Sequence, residues 1–296
     1  MLVVLGYIVV FAAVIGGFVL SGGELGALFQ PTELLIIGGA GIGAFIVGNN
    51  AKAIKATIKS IPLLFKGSHF TKEVYVDLLT LLYLLLASGR QKGMMSLEAE
   101  IEDPQNSAIF ANYPRLLADS FLMNFLIDYL RLMISGSTNA FEIEALMDEE
   151  IETADHEAEV PADSLGALGD GFPAFGIVAA VMGVVHALAS ADRPAAELGE
   201  LIAHAMVGTF LGILLAYGFV SPLAALLRQK SVEKIKALHC IKAVLLAAIN
   251  DSAPQIAVEF GRKTLYSTVR PSFYELEEHI REVKAAPQSP AAEEPT

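Results

Sequence analysis

The chain has 296 residues, of which 20 are basic and 33 acidic, so its formal net charge is -13. Hydrophobic residues make up 54%, charged residues only 18%, and the mean hydropathy is +0.53. A soluble protein of this length has no interior large enough for such an apolar excess, so we expect lipid to act as a second solvent. The acidic total argues against a nucleic-acid partner, and the single cysteine excludes an internal disulfide or a cysteine-based metal cluster.

Four stretches without charged residues predict four transmembrane helices, because a helix needs about 20 apolar residues to cross the hydrocarbon layer. They are residues 1–20, 34–51, 171–191 and 201–227. A fifth apolar stretch, residues 78–89, lies between Asp77 and Arg90. It is too short to span, and its length predicts a buried or interfacial helix.

Basic residues near the ends of these stretches predict the orientation, because they favour the cytoplasmic side. Lys52, Lys55 and Lys59 follow the second stretch, while Arg228 and Lys230 follow the fourth. Both large polar segments and both termini are therefore expected in the cytoplasm. The first stretch lacks the basic start and the cleavage site of a signal peptide, so we expect it to be retained.

The predicted fold is an all-α polytopic membrane protein. Residues 1–50 would form transmembrane helices 1 and 2 with a short periplasmic link, and residues 171–227 helices 3 and 4. The segment 51–170 alternates apolar and charged positions at helical spacing, which predicts a helical cytoplasmic loop. Residues 228–284 would form a second cytoplasmic helical region, and the composition of 285–296 predicts a disordered tail.

The stretches contain small residues but no acidic or basic ones. Gly39 and Gly43, and likewise Gly208 and Gly212, have the spacing that lets membrane helices approach closely. Proton relays in membranes are built around Asp, Glu, Lys or Arg, and none lies in these four stretches. If ions move through this protein, we expect a partner helix to supply the carboxylate.

The third and fourth stretches form a hairpin that turns near residues 194–200. Folding about that turn brings Ala180 and Thr209 to one depth, and His186 and His204 to another. The hairpin could line a hydrated path, although we expect the two histidines to lie at the outer interface. His156-Glu157 lacks the second histidine of a zinc-protease helix. No catalytic or metal-ligating motif is legible, so we expect neither an enzyme nor a cofactor.

Residues 205–214 (AMVGTFLGIL), followed by Pro222, match the signature of the MotA/PomA family. Further segments resemble its proton-driven enterobacterial members, among them residues 141–152 (FEIEALMDEEIE), 173–188 (PAFGIVAAVMGVVHAL) and 191–199 (ADRPAAELG). The resemblance runs from Met1 to about Lys284 and leaves only the tail uncovered.

This resemblance implies a flagellar stator subunit of the bacterial inner membrane. In that family a ring of five copies surrounds MotB-like partners, each carrying an intramembrane Asp, and the cytoplasmic loop pushes the rotor protein FliG. Carried over by motif, the rotor-contact charges are Arg90 and Glu98, with Glu150 as a secondary member. The two prolines beside the ion path are Pro173 and Pro222.

The resemblance also predicts the coupling ion. Sodium-driven members resemble one another in carrying a threonine in both the third and the fourth span, and here these positions are Ala180 and Thr209. Sodium is held by several oxygen ligands, which a methyl group cannot provide. We therefore expect proton coupling, with Ala180 as the discriminating residue and Thr209 lining the path.

Two alternatives remain at this point. A proton-driven energiser of the ExbB/TolQ type has three spans and an outside N-terminus, so the first 50 residues, which contain no Lys or Arg, count against it. A self-sufficient channel or transporter would need an intramembrane charge or broken helices in matched halves. Neither feature is visible in the four stretches.

Overall fold

The computed structural model describes residues 2–136 and 139–285, and every element in this part of the chain is helical. Four segments are long and apolar enough to cross a membrane: Leu2–Leu20, Leu25–Gly48, Ala140–Ala189 and Ala195–Ile249. The predicted all-α class with four spans is therefore confirmed. Beyond Ala285, the predicted tail lies outside the described residues.

The second span begins earlier than predicted. After α1 (Leu2–Leu20) and a single turn at Leu25–Leu28 comes α2 (Pro31–Gly48). Pro31 is the first residue of this helix. Proline has no backbone N–H, and in the first turn this has no cost because an N–H there would have no acceptor within the helix. Asn50 separates it from α3 (Ala51–Leu64) by capping that helix, accepting the Ala53 N–H at 2.9 Å. The earlier start brings Glu33 inside the second span.

Two long helices then precede the third span. These are α4 (Lys72–Lys92) and α5 (Ser120–Ile134). The chain between them forms short helical segments at Met94–Leu97, Glu98–Glu102, Phe110–Asn112 and Pro114–Leu117.

The third and fourth spans belong to much longer helices than the hydropathy indicates. The third is the last part of α6 (Ala140–Ala189), and α7 (Ala195–Ile213) begins the fourth. The π-helical segment Leu214–Val220 then leads into α8 (Ser221–Ile249). Two further helices complete the described chain, α9 (Pro254–Thr264) and α10 (Phe273–Ala285).

The chain divides into two compact units. The first, which we call the span unit, comprises Met1–Gly67 and His156–Ser231. The second, the loop unit, comprises Ser68–Asp155 and Val232–Thr296.

Charged groups at one end of the span unit fix its helices to each other. Arg228 forms an ion pair with Asp163. Lys230 Nζ donates hydrogen bonds of 2.6 Å to the carbonyl oxygens of Leu63 and Lys66, at the end of α3. Two of the basic residues that follow the fourth span are therefore held by acceptors on neighbouring helices.

The loop unit has a large apolar core of its own. The leucine-rich stretch 78–89 lies in α4 and supplies its centre, where five leucines are at most 1% exposed: Leu78, Leu79, Leu81, Leu82 and Leu85. The prediction of a buried helix here is confirmed, because these residues pack inside the unit.

The one cysteine of the sequence lies in the same core. Cys240 on α8 is fully buried, and burial raises its thiol pKa to about 12. Helix α9 crosses closely at Gly261, where a Cβ atom would collide with Val244 Cγ2 and lie 3.0 Å from the carbonyl oxygen of Cys240. Only glycine permits this approach.

Candidate ion-path site

Glycines allow the third and fourth spans to pack backbone against backbone. A Cβ atom on Gly176 would lie 2.8 Å from the carbonyl oxygen of Gly208 and 3.1 Å from the Cα of Gly212. Further along the hairpin, a Cβ atom on Gly183 would lie 2.6 Å from that of Ala205. The predicted close approach at Gly208 and Gly212 is therefore present, and its partner is Gly176.

The other predicted glycine pair behaves differently. No side chain or neighbouring-helix atom lies within 4 Å of a Cβ built on Gly39 or Gly43. In α2 the packing glycine is Gly41, whose added Cβ would lie 2.5 Å from the ring of Phe172.

Ala180 and Thr209 line one groove along the hairpin, and both are partly exposed. The hydroxyl of Thr209 is the only polar side-chain group among the lining residues, and none of them is ionisable. The others are Ile177, Val181, Val184, Val185, Ala205, Met206, Phe210 and Ile213. The groove is therefore an apolar surface with one hydroxyl, at the depth where the sequence places the discriminating pair.

Pro222 coincides with the break in the fourth span. It has no N–H, and its ring clashes with the carbonyl four residues earlier, that of Gly218. The helix accommodates this in the π-helical segment Leu214–Val220. Tyr7 on α1 donates a hydrogen bond of 3.0 Å to the carbonyl oxygen of Phe219, within that segment.

The structure brings the neighbourhoods of the two prolines together. Pro173 lies inside α6 and leaves the carbonyl of Gly169 without its helical donor. A Cβ atom on Gly169 would lie 2.9 Å from Ser221 Oγ, and Ser221 directly precedes Pro222. The two weakened helix turns are thus in contact, and the buried Ser221 hydroxyl there has no hydrogen-bond partner.

The second span contains one acidic side chain that the hydropathy pattern does not predict there. Glu33 lies in the first turn of α2 and is only 8% exposed. The hydropathy stretch 34–51 starts one residue later, so the expectation that the spans carry no acidic group is wrong. The missed signal is Pro31, because a proline favours the first helical position and so predicts a helix that includes Glu33.

The two histidines of the hairpin differ in their surroundings. His186 is exposed, whereas His204 is partly buried and its Nε2 lies 3.8 Å from Glu200 Oε1. Among the described residues, no group of three or more His, Cys, Asp or Glu could hold a metal ion.

The predicted rotor-contact charges lie in the loop unit. Arg90 is exposed in the last turn of α4, and Glu98 is exposed at the start of Glu98–Glu102. The turn between them contains Gly93, whose φ of 89° favours glycine. Glu150 is also exposed on α6, but its carboxylate accepts a 2.8 Å hydrogen bond from the Tyr129 hydroxyl.

Two family models match the chain. One described as Motility protein A N-terminal matches residues 4–93, and one described as the MotA/TolQ/ExbB proton channel family matches residues 117–239. The fold is also that of solved stator complexes. The flagellar MotAB stator complex from Bacillus subtilis gives a TM-score of 0.73 at 29% identity, covering 93% of this chain and 98% of that chain. The C. jejuni MotAB structure gives a TM-score of 0.75 at 21% sequence identity, covering 90% of this chain and 95% of that chain.

Individual relatives are similar over their whole length. Motility protein A of Salmonella typhimurium is 69% identical over 294 residues, which is 99% of this chain and 100% of that protein. Motility protein A of Escherichia coli is 68% identical with the same coverage. The resemblance carried by residues 205–214 and Pro222 is thereby confirmed. The chain belongs to the motility protein A branch of the MotA/TolQ/ExbB proton channel family.

Proposed function

We propose that this chain is the flagellar stator subunit that couples proton flow across the bacterial inner membrane to torque on the rotor. Its partner would be a MotB-like membrane protein that supplies an intramembrane Asp, and its target the rotor protein FliG. Ring assembly from five copies and cytoplasmic termini are part of the same proposal. The sequence identity of 69% to a motility protein A over its full length supports this function over that of an ExbB/TolQ-type energiser.

The groove along the third and fourth spans is the observation that carries the proposal. Its lining is apolar and without an ionisable group, yet it is open on one side and includes the Thr209 hydroxyl. Such a surface suits a partner's transmembrane helix, because burying a lone carboxylate beside a hydroxyl is far less costly than burying it in lipid. The partner's Asp would face Thr209 and Ala180.

Movement would follow from protonation of that Asp. Neutralising a carboxylate removes the charge that the groove must accommodate, so the favoured packing of the hairpin against the partner changes. The contact between Gly169 and Ser221, next to the two prolines, is where the helices of the hairpin have lost backbone hydrogen bonds. We infer that bending there transmits the change to the cytoplasmic side.

Coupling to protons is tested by swimming speed and ion flux. Motility driven by this chain and its partner should persist in sodium-free medium and collapse with a protonophore. Vesicles holding both proteins should take up protons under an imposed potential, whereas the chain alone or a complex with the partner's Asp changed to Asn should not. Swimming speed that tracks external sodium at fixed pH would contradict proton coupling, and proton flux through the chain alone would contradict the stator assignment.

A further inference from the structure

Glu33 is an unusual residue for the span unit, because its carboxyl atom Oε2 is buried and has no hydrogen-bond partner. Buried polar atoms are nearly always hydrogen-bonded, and ionisable groups inside membranes are rare outside functional sites. The residue as a whole is more than nine-tenths buried. A purely structural carboxylate would be expected to have a donor.

The unpartnered oxygen points to the junction of the third and fourth spans. It lies 2.8 Å from the place that a Cβ atom on Gly208 would occupy. The Ala179 Cβ and the Ala180 backbone nitrogen lie 3.1 Å and 3.2 Å from the same point. Glu33 therefore reaches the helix contact directly behind Ala180 and beside Thr209, and the absence of a side chain at position 208 makes room for it.

Two titratable groups lie between this point and the N-terminal end of α7. Glu200, His204 and Gly208 are spaced by four residues and so share one helix face. The side chain of Glu200 is 71% exposed, that of His204 is 35% exposed, and the two approach to 3.8 Å. His204 lies one helical turn before Gly208, the residue beside which the Glu33 carboxylate is placed. On the α6 side, the atoms nearest to the same point belong to Ala179 and Ala180, which are not ionisable.

We propose that Glu33 is a proton-binding carboxylate of the ion path. Protons reach it from the exposed N-terminal end of α7 through Glu200 and His204, and they leave it toward Thr209. In the loading step a proton leaves the His204 imidazolium and binds the Glu33 carboxylate, which leaves a neutral imidazole and a neutral carboxyl group. Release toward Thr209 regenerates the carboxylate, and His204 takes up the next proton from the Glu200 side. This inference rests on the proposed function, because it needs a proton acceptor beyond Thr209.

Glu33→Gln and Glu33→Asp, made in the complete complex with its partner, separate titration from packing. Glutamine keeps the shape and polarity of the side chain but cannot bind the transported proton, whereas aspartate can. We expect Glu33→Gln to lower proton flux into vesicles about tenfold or more at unchanged membrane level and partner co-purification. Glu33→Asp should retain most of the flux with a shifted dependence on external pH. Glu24→Gln, an exposed acid before the Leu25–Leu28 turn, is the matched control and should conduct normally.

His204→Gln should also reduce the proton flux. In the double variant with Glu33→Gln the flux should be no lower than in the more impaired single variant, because both residues act on one route. Normal flux through Glu33→Gln between external pH of about 5 and about 8 would overturn the inference while leaving the stator function intact. Loss of partner binding in step with flux would overturn it too, since Glu33 would then be a packing residue. No flux through the unmodified complex would contradict the proposed function and this inference with it.

Discussion

Gly176 faces the carbonyl oxygen of Gly208 so closely that a Cβ atom added to Gly176 would lie 2.8 Å from it. Both sides of this contact are backbone, which cannot move aside as the end of a flexible side chain could. The contact therefore sets the distance between the two helices that carry Ala180 and Thr209.

Gly176→Ala should push these helices apart and lower the free energy of unfolding by about 1–3 kcal/mol, the usual range for an overpacked contact. The melting temperature of the detergent-solubilised chain measures this. Gly6→Ala is the matched control, because no other side chain or helix approaches within 4 Å of that position. An unchanged melting temperature for Gly176→Ala would contradict a direct backbone contact between the two helices.

Arg90 and Glu98 are expected to contact the rotor through exposed charges, each contributing about 1 kcal/mol and screened by salt. Single neutralisation should slow swimming. The double reversal Arg90→Glu with Glu98→Lys should nearly abolish it while stator assembly stays intact. Tracking of swimming cells and membrane fractionation measure the two outcomes.

The control for this prediction is another pair of opposite charges in the loop unit. Glu277 and Arg281 form an exposed ion pair on α10. Reversing both, Glu277→Arg with Arg281→Glu, should leave swimming normal. Normal swimming by the Arg90 and Glu98 double reversal would remove both residues from the rotor contact.

Pro222→Ala should allow an α-helical hydrogen bond to the carbonyl of Gly218 and so shorten or remove the π-helical segment Leu214–Val220. A stiffer fourth span should impair rotation more than assembly, which motor torque and membrane level measure separately. Pro62→Ala is the matched control, since Pro62 is an exposed proline inside α3 with no π segment before it. If membrane level and torque fell together in Pro222→Ala, the proline would be a folding determinant only.

Acid should loosen α10 through Glu275. The pKa of Glu275 is lowered from 4.5 to about 2, first by the Lys72 ammonium, which donates a 2.6 Å hydrogen bond to its carboxylate, and then by hydrogen bonds with Ser272. A pKa that is lower in the folded state stabilises the fold above the ordinary pKa, and this stabilisation is lost as the pH falls from about 4.5 through about 2. Because both groups are exposed, we expect a small effect.

Hydrogen exchange of the α10 amides should therefore speed up over that pH window relative to Glu275→Gln, which lacks the titrating group. Glu278→Gln on the same helix is the control and should behave like the unmodified chain. An identical pH profile for Glu275→Gln and the unmodified chain would show that the pair with Lys72 does not hold the helix.

Hydropathy was sufficient to predict the four spans and the buried α4, because both depend on runs of apolar residues that the sequence shows directly. It placed the second span wrongly by a few residues, since Pro31 and Asn50 determine where that helix begins and ends. Hence Glu33 was missed. Pro31 is a local sign that the helix includes Glu33, but the burial of Glu33 depends on Gly208, which is distant in sequence, so no local pattern could have indicated that burial.

Other features needed more than a local pattern. Pro222 predicts a weakened helix, but whether the helix bends or takes up a π turn depends on which groups of other helices contact this segment; here the Tyr7 hydroxyl donates a hydrogen bond to the carbonyl of Phe219. Arg90 and Glu98 look like ordinary surface charges, and only the family resemblance distinguishes them. The pairing of Ala180 with Thr209 followed from hairpin geometry, and both residues do line one groove.

The burial of Cys240 has a practical consequence for experiments on this protein. A thiol that is fully enclosed and ionises only at a pKa of about 12 is almost entirely protonated at neutral pH and out of reach of alkylating reagents. The natural sequence is therefore already a background for site-directed labelling. A single cysteine introduced at Thr209 or Arg90 would carry a spin label or fluorophore alone, without first replacing a core residue.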